Sequence, residues 1–307
     1  MKKFSLLIVM IITGSLAFCQ EDGSTMKQPV RPPVETHWKP IDIGEFSEPV
    51  PFVHQRQNDV MYYITIWRKI DLREKINHPL YFPIETQGNW RSLAQVILDA
   101  IDIDNPENPN ALPIYDSEFC NFLQDRETTL AVMTNTTQID NVDPETGDVI
   151  GTQDLVIPHR PSEIMTYRLK EVWFFDKQRS LMEVRILEIE PIIEYVKEIN
   201  SYAENEEDEE MVGGNTTDKR IGWILYDELR PFLAKQDVFN VKNNAQRLSF
   251  DDVLTFKRQF SSFIYAEDNV YGARWIEEYI ANARDQRIES DRITNQIRVF
   301  EHDLWEF

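Results

Sequence analysis

Glycine is scarce in this 307-residue sequence, which contains only ten glycines. They form neither a Gly-rich phosphate loop nor a G-x-S-x-G nucleophile elbow. A phosphate loop needs glycine because backbone N–H groups must approach the phosphates closely. These absences argue against a nucleotide-binding enzyme and against a serine hydrolase of that type.

Histidine is equally sparse, and no two histidines have the spacing of a helical zinc site. The five are His37, His54, His78, His159 and His302. The terminal "EHDLW" resembles a metalloprotease helix only superficially, because a second histidine four residues along is missing. The spacing therefore argues against a metal site built on histidine.

Carboxylates are abundant, yet none of them forms a specific site motif. In "DIDNPENPN", Asp102 and Asp104 are spaced as in a calcium loop, but Glu107 stands where the turn needs glycine and Pro113 where a bidentate acid belongs. The stretch "DNVDPETGD" is better explained as turn residues. Among 53 acidic residues, sequence proximity identifies no acid and base pair. We nominate no catalytic, cofactor-binding or metal-binding residue.

Positive charge is in short supply: 32 Lys and Arg face 53 Asp and Glu, which gives a formal net charge of -21. Such a chain repels phosphate backbones and anionic lipid surfaces. Nucleic acid is therefore excluded as an expected partner.

The first 19 residues have the layout of a secretory signal peptide. Lys2 and Lys3 precede an apolar run that ends in small residues, and the run is short for a membrane span. An uncleaved anchor is the alternative. Cys19 at the boundary raises the question of lipid attachment, but Phe18 is bulky where lipoprotein signals carry Gly or Ala. Cleavage after Cys19 leaves Cys120 without an intramolecular partner, so the fold is not expected to depend on disulfides.

What remains divides into a proline-rich arm at 20–51 and a single domain at 52–307. The arm carries Pro29, Pro32, Pro33, Pro40, Pro49 and Pro51. It is either an extended arm or a disordered spacer. Within the domain, residues 204–214 begin with six acidic residues among seven, which predicts a solvated insertion loop.

The patterning of the domain predicts an α+β fold, with a central antiparallel sheet built from hairpins, flanking helices and a helical C-terminal region. Residues 89–101 show helical spacing, with Asn89 as the expected N-cap. "TLAVMTNTTQI" and "DVIGTQDLVI" flank turn residues and predict one hairpin. A second hairpin is expected around "DKQRS" in residues 167–192, and "IGWILY" at 221–226 is expected to add a strand.

The last third of the chain is predicted to be helical. Ser249 and Asp252 have capping-box spacing at the start of one apolar stripe. That stripe comprises Phe250, Val253, Leu254, Phe260, Phe263 and Ile264. A terminal stripe comprises Trp275, Ile276, Ile280, Ile293, Ile297, Phe300 and Leu304. It indicates either a helix docked on the core or a helix offered to a partner.

The stretch "WRKIDLREKINHPLYFP" at 67–83 admits two interpretations. Asp71 can cap a short helix that Asn77, His78 and Pro79 then end, which leaves a solvated charged face. The other interpretation is an interface patch, because the stretch holds residue types enriched in binding hot spots. The candidate partner interface is Trp67, Arg68, Arg73, His78, Tyr81 and Phe82.

Several long segments resemble the GldN/PorN family of gliding-motility and type IX secretion proteins. They are the stretch just described, "GWILYDELRPFLAKQDVFNVKN", "LSFDDVLTFKRQFSSFIYAEDNVY" and the terminal "EHDLWEF". The resemblance runs from about residue 52 to the end, without the arm or the acidic insertion. It implies a non-enzymatic periplasmic component of the type IX machinery in the Bacteroidetes, at the inner face of the outer membrane and without a cofactor. It also implies three contacts: a GldK/PorK-type outer-membrane lipoprotein, the periplasmic domain of a GldM/PorM-type motor protein, and further copies in a homo-oligomeric ring.

Two functions from other classes stay open on the residues alone, a periplasmic hydrolase and a polysaccharide-binding module. A concave cleft lined by perturbed carboxylates favours the hydrolase. A row of coplanar exposed aromatics favours the sugar-binding module, and extended patches without a cleft favour assembly.

We expect the mature protein to begin at or near Gln20 and to carry no lipid, because Phe18 fits a lipidation signal poorly. Mass spectrometry of the mature N-terminus measures this directly. A diacylglyceryl group on Cys19 would contradict the prediction.

Overall fold

The computed structural model describes residues 47–87, 90–102, 108, 110–142, 149–196, 216–239, 247–268 and 274–303. Its strands are β1 (Val60–Asp71), β2 (Thr134–Val142), β3 (Val149–Pro158), β4 (Ile164–Asp176), β5 (Leu181–Val196), β6 (Thr216–Arg220), β7 (Ile224–Leu225) and β8 (Phe263–Glu267). The larger sheet has the order β6-β5-β4-β1-β8, and β7 pairs with β5. All of its pairings are antiparallel. The predicted α+β class, with an antiparallel sheet and flanking helices, is confirmed.

Helices lie between and after the strands. They are α1 (His78–Tyr81), α2 (Leu93–Ile101), α3 (Arg126–Met133), α4 (Tyr226–Ala234), a π-helix (Asp252–Lys257), α5 (Ile276–Tyr279) and α6 (Ala283–Asp303). Across the described residues, none of these helices combines the length and apolar character needed to cross a bilayer.

The hairpin expected around "DKQRS" is confirmed as β4 and β5. Asp176 pairs with Leu181, and residues 177–180 form the turn between them. The Asp176 carboxylate accepts a hydrogen bond from the backbone N–H of Gln178 at 2.9 Å and forms an ion pair with Arg179 at 2.7 Å. Ser180 has a φ of 50°, so it adopts the left-handed conformation that closes the turn. Local turn chemistry therefore determines this hairpin.

The other expected hairpin forms from β2 and β3, but these strands make a two-stranded sheet of their own. The first residues of "TLAVMTNTTQI" belong to α3 and not to a strand, so that part of the prediction was wrong. Asp125 stands at the N-cap and Glu127 lies in the first turn, where acidic side chains stabilise a helix. The turn between the two strands lies outside the described residues.

Strand β1 is the element that the sequence analysis missed. It is an interior strand of the sheet and lies between β4 and the edge strand β8. After it, Lys75–Asn77 forms a 3-10 turn, and α1 begins at His78 with Pro79 in its first turn. Proline is accepted there because its missing N–H has no intrahelical partner in the first turn. The expected helix stop at 77–79 is therefore wrong, because these residues start a helix.

Helix α2 buries the apolar positions expected of it against the sheet: Leu93, Ala94, Ile97 and Ile101. Its N-cap is Ser92, whose Oγ accepts a hydrogen bond from the backbone N–H of Gln95 at 3.3 Å. The helix begins too late for Asn89 to cap it, and Asn89 itself lies outside the described residues.

The expected capping box forms. The Ser249 N–H donates to Asp252 Oδ2 at 3.1 Å, and the Asp252 N–H donates to Ser249 Oγ at 3.1 Å. The π-helix that follows ends at Arg258, which has a φ of 47°. Phe263 and Ile264 then belong to β8, so the single long helix expected here was wrong. Pairing with β1 overrides the helical spacing of this segment.

The terminal helix α6 is docked on the sheet. Its Ile293 and Ile297 are buried against Ile66 of β1 and Ile264 of β8. The rings of Phe300 and Tyr62 also pack, with 4.3 Å between their centroids. Of the two interpretations of this stripe, docking on the core is confirmed for the described residues; Leu304 lies beyond them.

The expected strand at 221–226 is shorter than predicted, because only Ile224–Leu225 pairs as β7 and Tyr226 begins α4.

The signal peptide and the acidic insertion lie outside the described residues, as does the arm up to residue 46. The end of the arm, residues 47–51, is described, and Arg230 donates to its Val50 carbonyl at 2.6 Å. Phe52, the first residue of the domain, lies between two arginines, with the Arg230 and Arg185 guanidinium carbons 4.0 and 4.8 Å from its ring centroid.

Candidate functional site

The six candidate interface residues divide into two that are interior and four that reach the surface. Trp67 and Arg68 lie on β1, where 5% and 9% of their surfaces are exposed. Arg73, His78, Tyr81 and Phe82 follow the strand and are exposed or half-buried. The division arises because β1 is a central strand with neighbours on both sides.

Trp67 belongs to a buried aromatic cluster with Trp223 and Tyr265. Its strand pairs it with Lys170 on one side and Ala266 on the other. At 5% exposure the indole contacts other parts of the same chain. Trp67 therefore stabilises the fold and is not presented to solvent.

Arg68 is part of a buried charge cluster around Glu171, which is fully buried. Arg68 Nε lies 3.1 Å from one Glu171 oxygen, and Arg258 lies 2.8 Å from the other. Trp173 donates its indole N–H to Glu171 at 3.0 Å and lies beneath both guanidinium groups. Burial lowers the pKa of Arg68, and Glu171 opposes that effect. One buried carboxylate thus forms ion pairs with two arginines.

Arg73 is the most accessible charged candidate, with 58% of its side chain exposed. Its guanidinium group lies 2.9 Å from Asp71 and 3.2 Å from Glu194. The ion pairs join the end of β1 to β5 across the surface. An exposed pair of this kind contributes little to stability, so Arg73 is available for other contacts.

His78, Tyr81 and Phe82 form a half-buried aromatic edge on α1. The Phe82 ring packs edge-on against His78 at 5.6 Å and against Tyr81 at 5.0 Å. Tyr81 donates its hydroxyl to the Ser162 carbonyl at 3.2 Å and packs against the main core. Beside this edge is an open groove of about 420 Å³, lined by Phe82, Pro83, Ile84, Glu85, Gln87 and Phe239.

Sequence reasoning missed a second surface, the loop at residues 116–123, which we call the apolar loop. Its Phe119, Phe122 and Leu123 are 65%, 72% and 67% exposed. The signal was present as "EFCNFL", an apolar run with neither helical nor strand periodicity. Exposed large apolar side chains grouped on one short segment are typical of interaction sites.

The apolar loop is held by its backbone. The Asp116 N–H donates to the Phe122 carbonyl at 3.2 Å, and Tyr115 and Trp223 exchange two backbone hydrogen bonds of 2.8 Å at its base. Gly222 permits this approach: it has a φ of 127°, and a Cβ there would lie 2.5 Å from Ile114 Cγ2. The loop is therefore a preformed element that presents its side chains in a fixed arrangement.

The two carboxylates whose pKa values are raised, Glu188 and Glu190, are engaged in ion pairs and line neither groove. Burial raises the pKa values of Glu188 and Glu190, which pair with Lys170 at 3.3 Å and Arg220 at 2.7 Å. Burial, with Glu188 nearby, raises the pKa of the Cys120 thiol to about 12, so the thiol is protonated at neutral pH. Within the described part of the chain, no group of His, Cys, Asp and Glu could hold a metal ion.

The larger groove, of about 800 Å³, lies between α6 and β1. Its walls include Tyr62, Ile64, Glu267, Asp291, Phe300 and Asp303. Glu188 and Glu190, whose pKa values are raised, do not line it.

Replacing Glu171 with Gln should lower the free energy of unfolding by about 3–5 kcal/mol, because the buried Arg68 and the partly buried Arg258 lose the carboxylate that they share. The control is Glu278→Gln, which removes an exposed ion pair with Arg274 and should cost no more than about 1 kcal/mol. Urea unfolding of the purified proteins measures both. Equal losses in the two variants would contradict this account of Glu171.

If Arg73 contacts a partner, Arg73→Ala should reduce co-purification of the expected lipoprotein from the envelope, costing about 1–4 kcal/mol of binding. Its unfolding free energy should change by no more than about 1 kcal/mol, because the Arg73 side chain is 58% exposed and Glu194 keeps a hydrogen bond from the Thr166 hydroxyl at 2.8 Å. Arg91→Ala is the control, since Arg91 is 46% exposed and pairs with Asp99 at 2.7 Å. Equal co-purification of the two variants would contradict the interface hypothesis at Arg73.

Comparison with known proteins agrees with the resemblance of the sequence. A family model described as "Gliding motility associated protein GldN" matches residues 55–306, which is most of the chain. No curated protein matches the sequence of this chain. The match includes every strand of the larger sheet, the candidate residues and the apolar loop. The chain therefore belongs to the GldN family of gliding-motility-associated proteins.

Proposed function

We propose that this protein is a non-enzymatic assembly component of the type IX secretion and gliding-motility machinery. In this proposal it resides in the periplasm and forms a homo-oligomeric ring with a GldK/PorK-type outer-membrane lipoprotein. It also contacts the periplasmic domain of a GldM/PorM-type motor protein. The observation that carries the proposal is membership of the GldN family along residues 55–306.

The surface of the described residues supports an assembly role. The apolar loop and the aromatic edge on α1 lie on separate elements, and the loop has a backbone held by hydrogen bonds. Preformed apolar and aromatic side chains lose little conformational entropy when a partner covers them. A protein that contacts several chains needs more than one such surface.

The interior supports the same role. Arg68, Arg168 and Arg258 are each paired with a buried glutamate, Glu171 or Glu190. These ion pairs join β1 to β4 through Arg68 and Glu171, and β4 to β5 through Arg168 and Glu190. The charges serve the scaffold, as expected of an assembly component.

The test is affinity purification of the tagged protein from its native envelope in mild detergent, combined with deletion of its gene. We expect the lipoprotein and the motor protein to co-purify, and we expect the deletion strain to lose both type IX secretion and gliding. Recovery of the protein without either partner, from a strain whose deletion mutant still secretes and glides, would overturn the proposal.

A further inference from the structure

The apolar loop presents more exposed apolar surface than a solitary side chain would. Phe119, Phe122 and Leu123 lie within five residues of one another and are each at least 65% exposed. Hydrogen bonds of 2.8 Å anchor both the entry at Tyr115 and the exit at Gln124. A rigid apolar surface of this kind is unfavourable in water unless a partner covers it.

The surroundings of the loop are acidic. Residues 116–127 contain four carboxylates and one arginine: Asp116, Glu118, Asp125, Glu127 and Arg126. Glu228 on α4 also acts on the loop, since its charge contributes to the raised pKa values of Tyr115 and Cys120. An apolar centre with a negative rim is complementary to an apolar surface with a positive rim.

Lys170, a cation that contacts the loop, already forms polar contacts with Glu118 and Glu188. Lys170 donates to the Glu118 carbonyl, lies 3.3 Å from Glu188, and is 5.3 Å from the centroid of the Phe119 ring. Only 12% of its side chain is exposed. Lys170 thus stabilises the loop from its buried side. The carboxylates at the rim of the loop can therefore pair with cations of a partner protein.

We propose that the apolar loop is the docking site for a partner protein that carries an apolar groove rimmed by lysine and arginine. A membrane fits less well because anionic headgroups would be repelled by the rim. A second copy also fits less well, because neither described groove has a positive rim: the lining of the larger holds three carboxylates and one arginine, and that of the smaller holds Glu85 and no cation. The proposal rests on the assembly role proposed above and locates one of its contacts.

The first test is the double variant Phe122→Ser with Leu123→Ser, measured by co-purification from the native envelope. We expect recovery of a basic partner to fall about tenfold or more, as for aromatic hot spots. The control is Met61→Ser with Tyr63→Ser, whose side chains are 60% and 67% exposed on β1. Both variants should melt like wild type. Equal recovery from the loop variant and the control would overturn the proposal.

The second test addresses the rim with Asp116→Asn and Asp125→Asn, which remove two charges while keeping side-chain size. Asparagine is also a good N-cap, so α3 should not be weakened at residue 125. We expect weaker recovery at low salt and a smaller loss of recovery as salt is raised. Unchanged salt dependence would overturn the charge complementarity.

The third test replaces Phe122 with a photo-cross-linking phenylalanine analogue in cells, and mass spectrometry identifies the attached peptide. A peptide of another protein that combines apolar residues with Lys or Arg supports the proposal. A peptide of this same chain, a lipid adduct or no adduct overturns it. Co-purification of wild type with the lipoprotein and motor protein, alongside a negative cross-link, would reject this docking site while retaining the proposed function.

Vesicles of phosphatidylethanolamine with phosphatidylglycerol test the membrane alternative. Wild-type protein should remain in solution when such vesicles are floated. Flotation that the Phe122→Ser and Leu123→Ser variant abolishes would overturn the proposal in favour of a lipid surface.

Discussion

The pairing of β1 between β4 and β8 is the contact on which the rest of the described structure depends. It joins strands from the beginning, the middle and the end of the domain in one sheet. Because side chains alternate along a strand, it places Ile66 and Ile70 on the face that contributes to two buried clusters. Trp67 points the other way, into the cluster with Trp223 and Tyr265. A change in this register would exchange the two sets of side chains between the faces.

Arginine has an unusual position in this acidic protein, because several of its few cations are used inside. Arg68 and Arg258 share the buried Glu171, and Arg230 pairs with the buried Asp251 at 3.0 Å. Buried ion pairs of this kind contribute more to the choice of one geometry than to net stability. Their consequence for the surface is electrostatic: cations used in the interior cannot neutralise carboxylates outside. The acidic surroundings of the apolar loop arise from the four carboxylates among residues 116–127.

The surface therefore combines rigid apolar features with negative charge. The apolar loop is anchored through Tyr115 and Trp223, and the aromatic edge of α1 is anchored through the Tyr81 hydroxyl. Both depend on the sheet for their position, since Trp223 precedes β7 and Ser162 precedes β4. This arrangement of surfaces supports the assembly role proposed above for a member of the GldN family.

The sequence by itself determined the features whose physics is local. The turn at 177–180, the capping box of Ser249 and Asp252, and the buried stripe of α2 each depend on residues a few positions apart. Only the tertiary structure decided that β1 lies between β4 and β8 and that Phe263 and Ile264 form a strand. It also decided that Trp67 and Arg68 are interior while Arg73 is exposed. The environment of these residues depends on strands more than 90 residues away in the sequence, as in the pairing of Trp67 with Lys170. The apolar loop could not be predicted for the same reason. The solvent exposure of its side chains depends on which surfaces the rest of the chain covers and not on the apolar character of "EFCNFL".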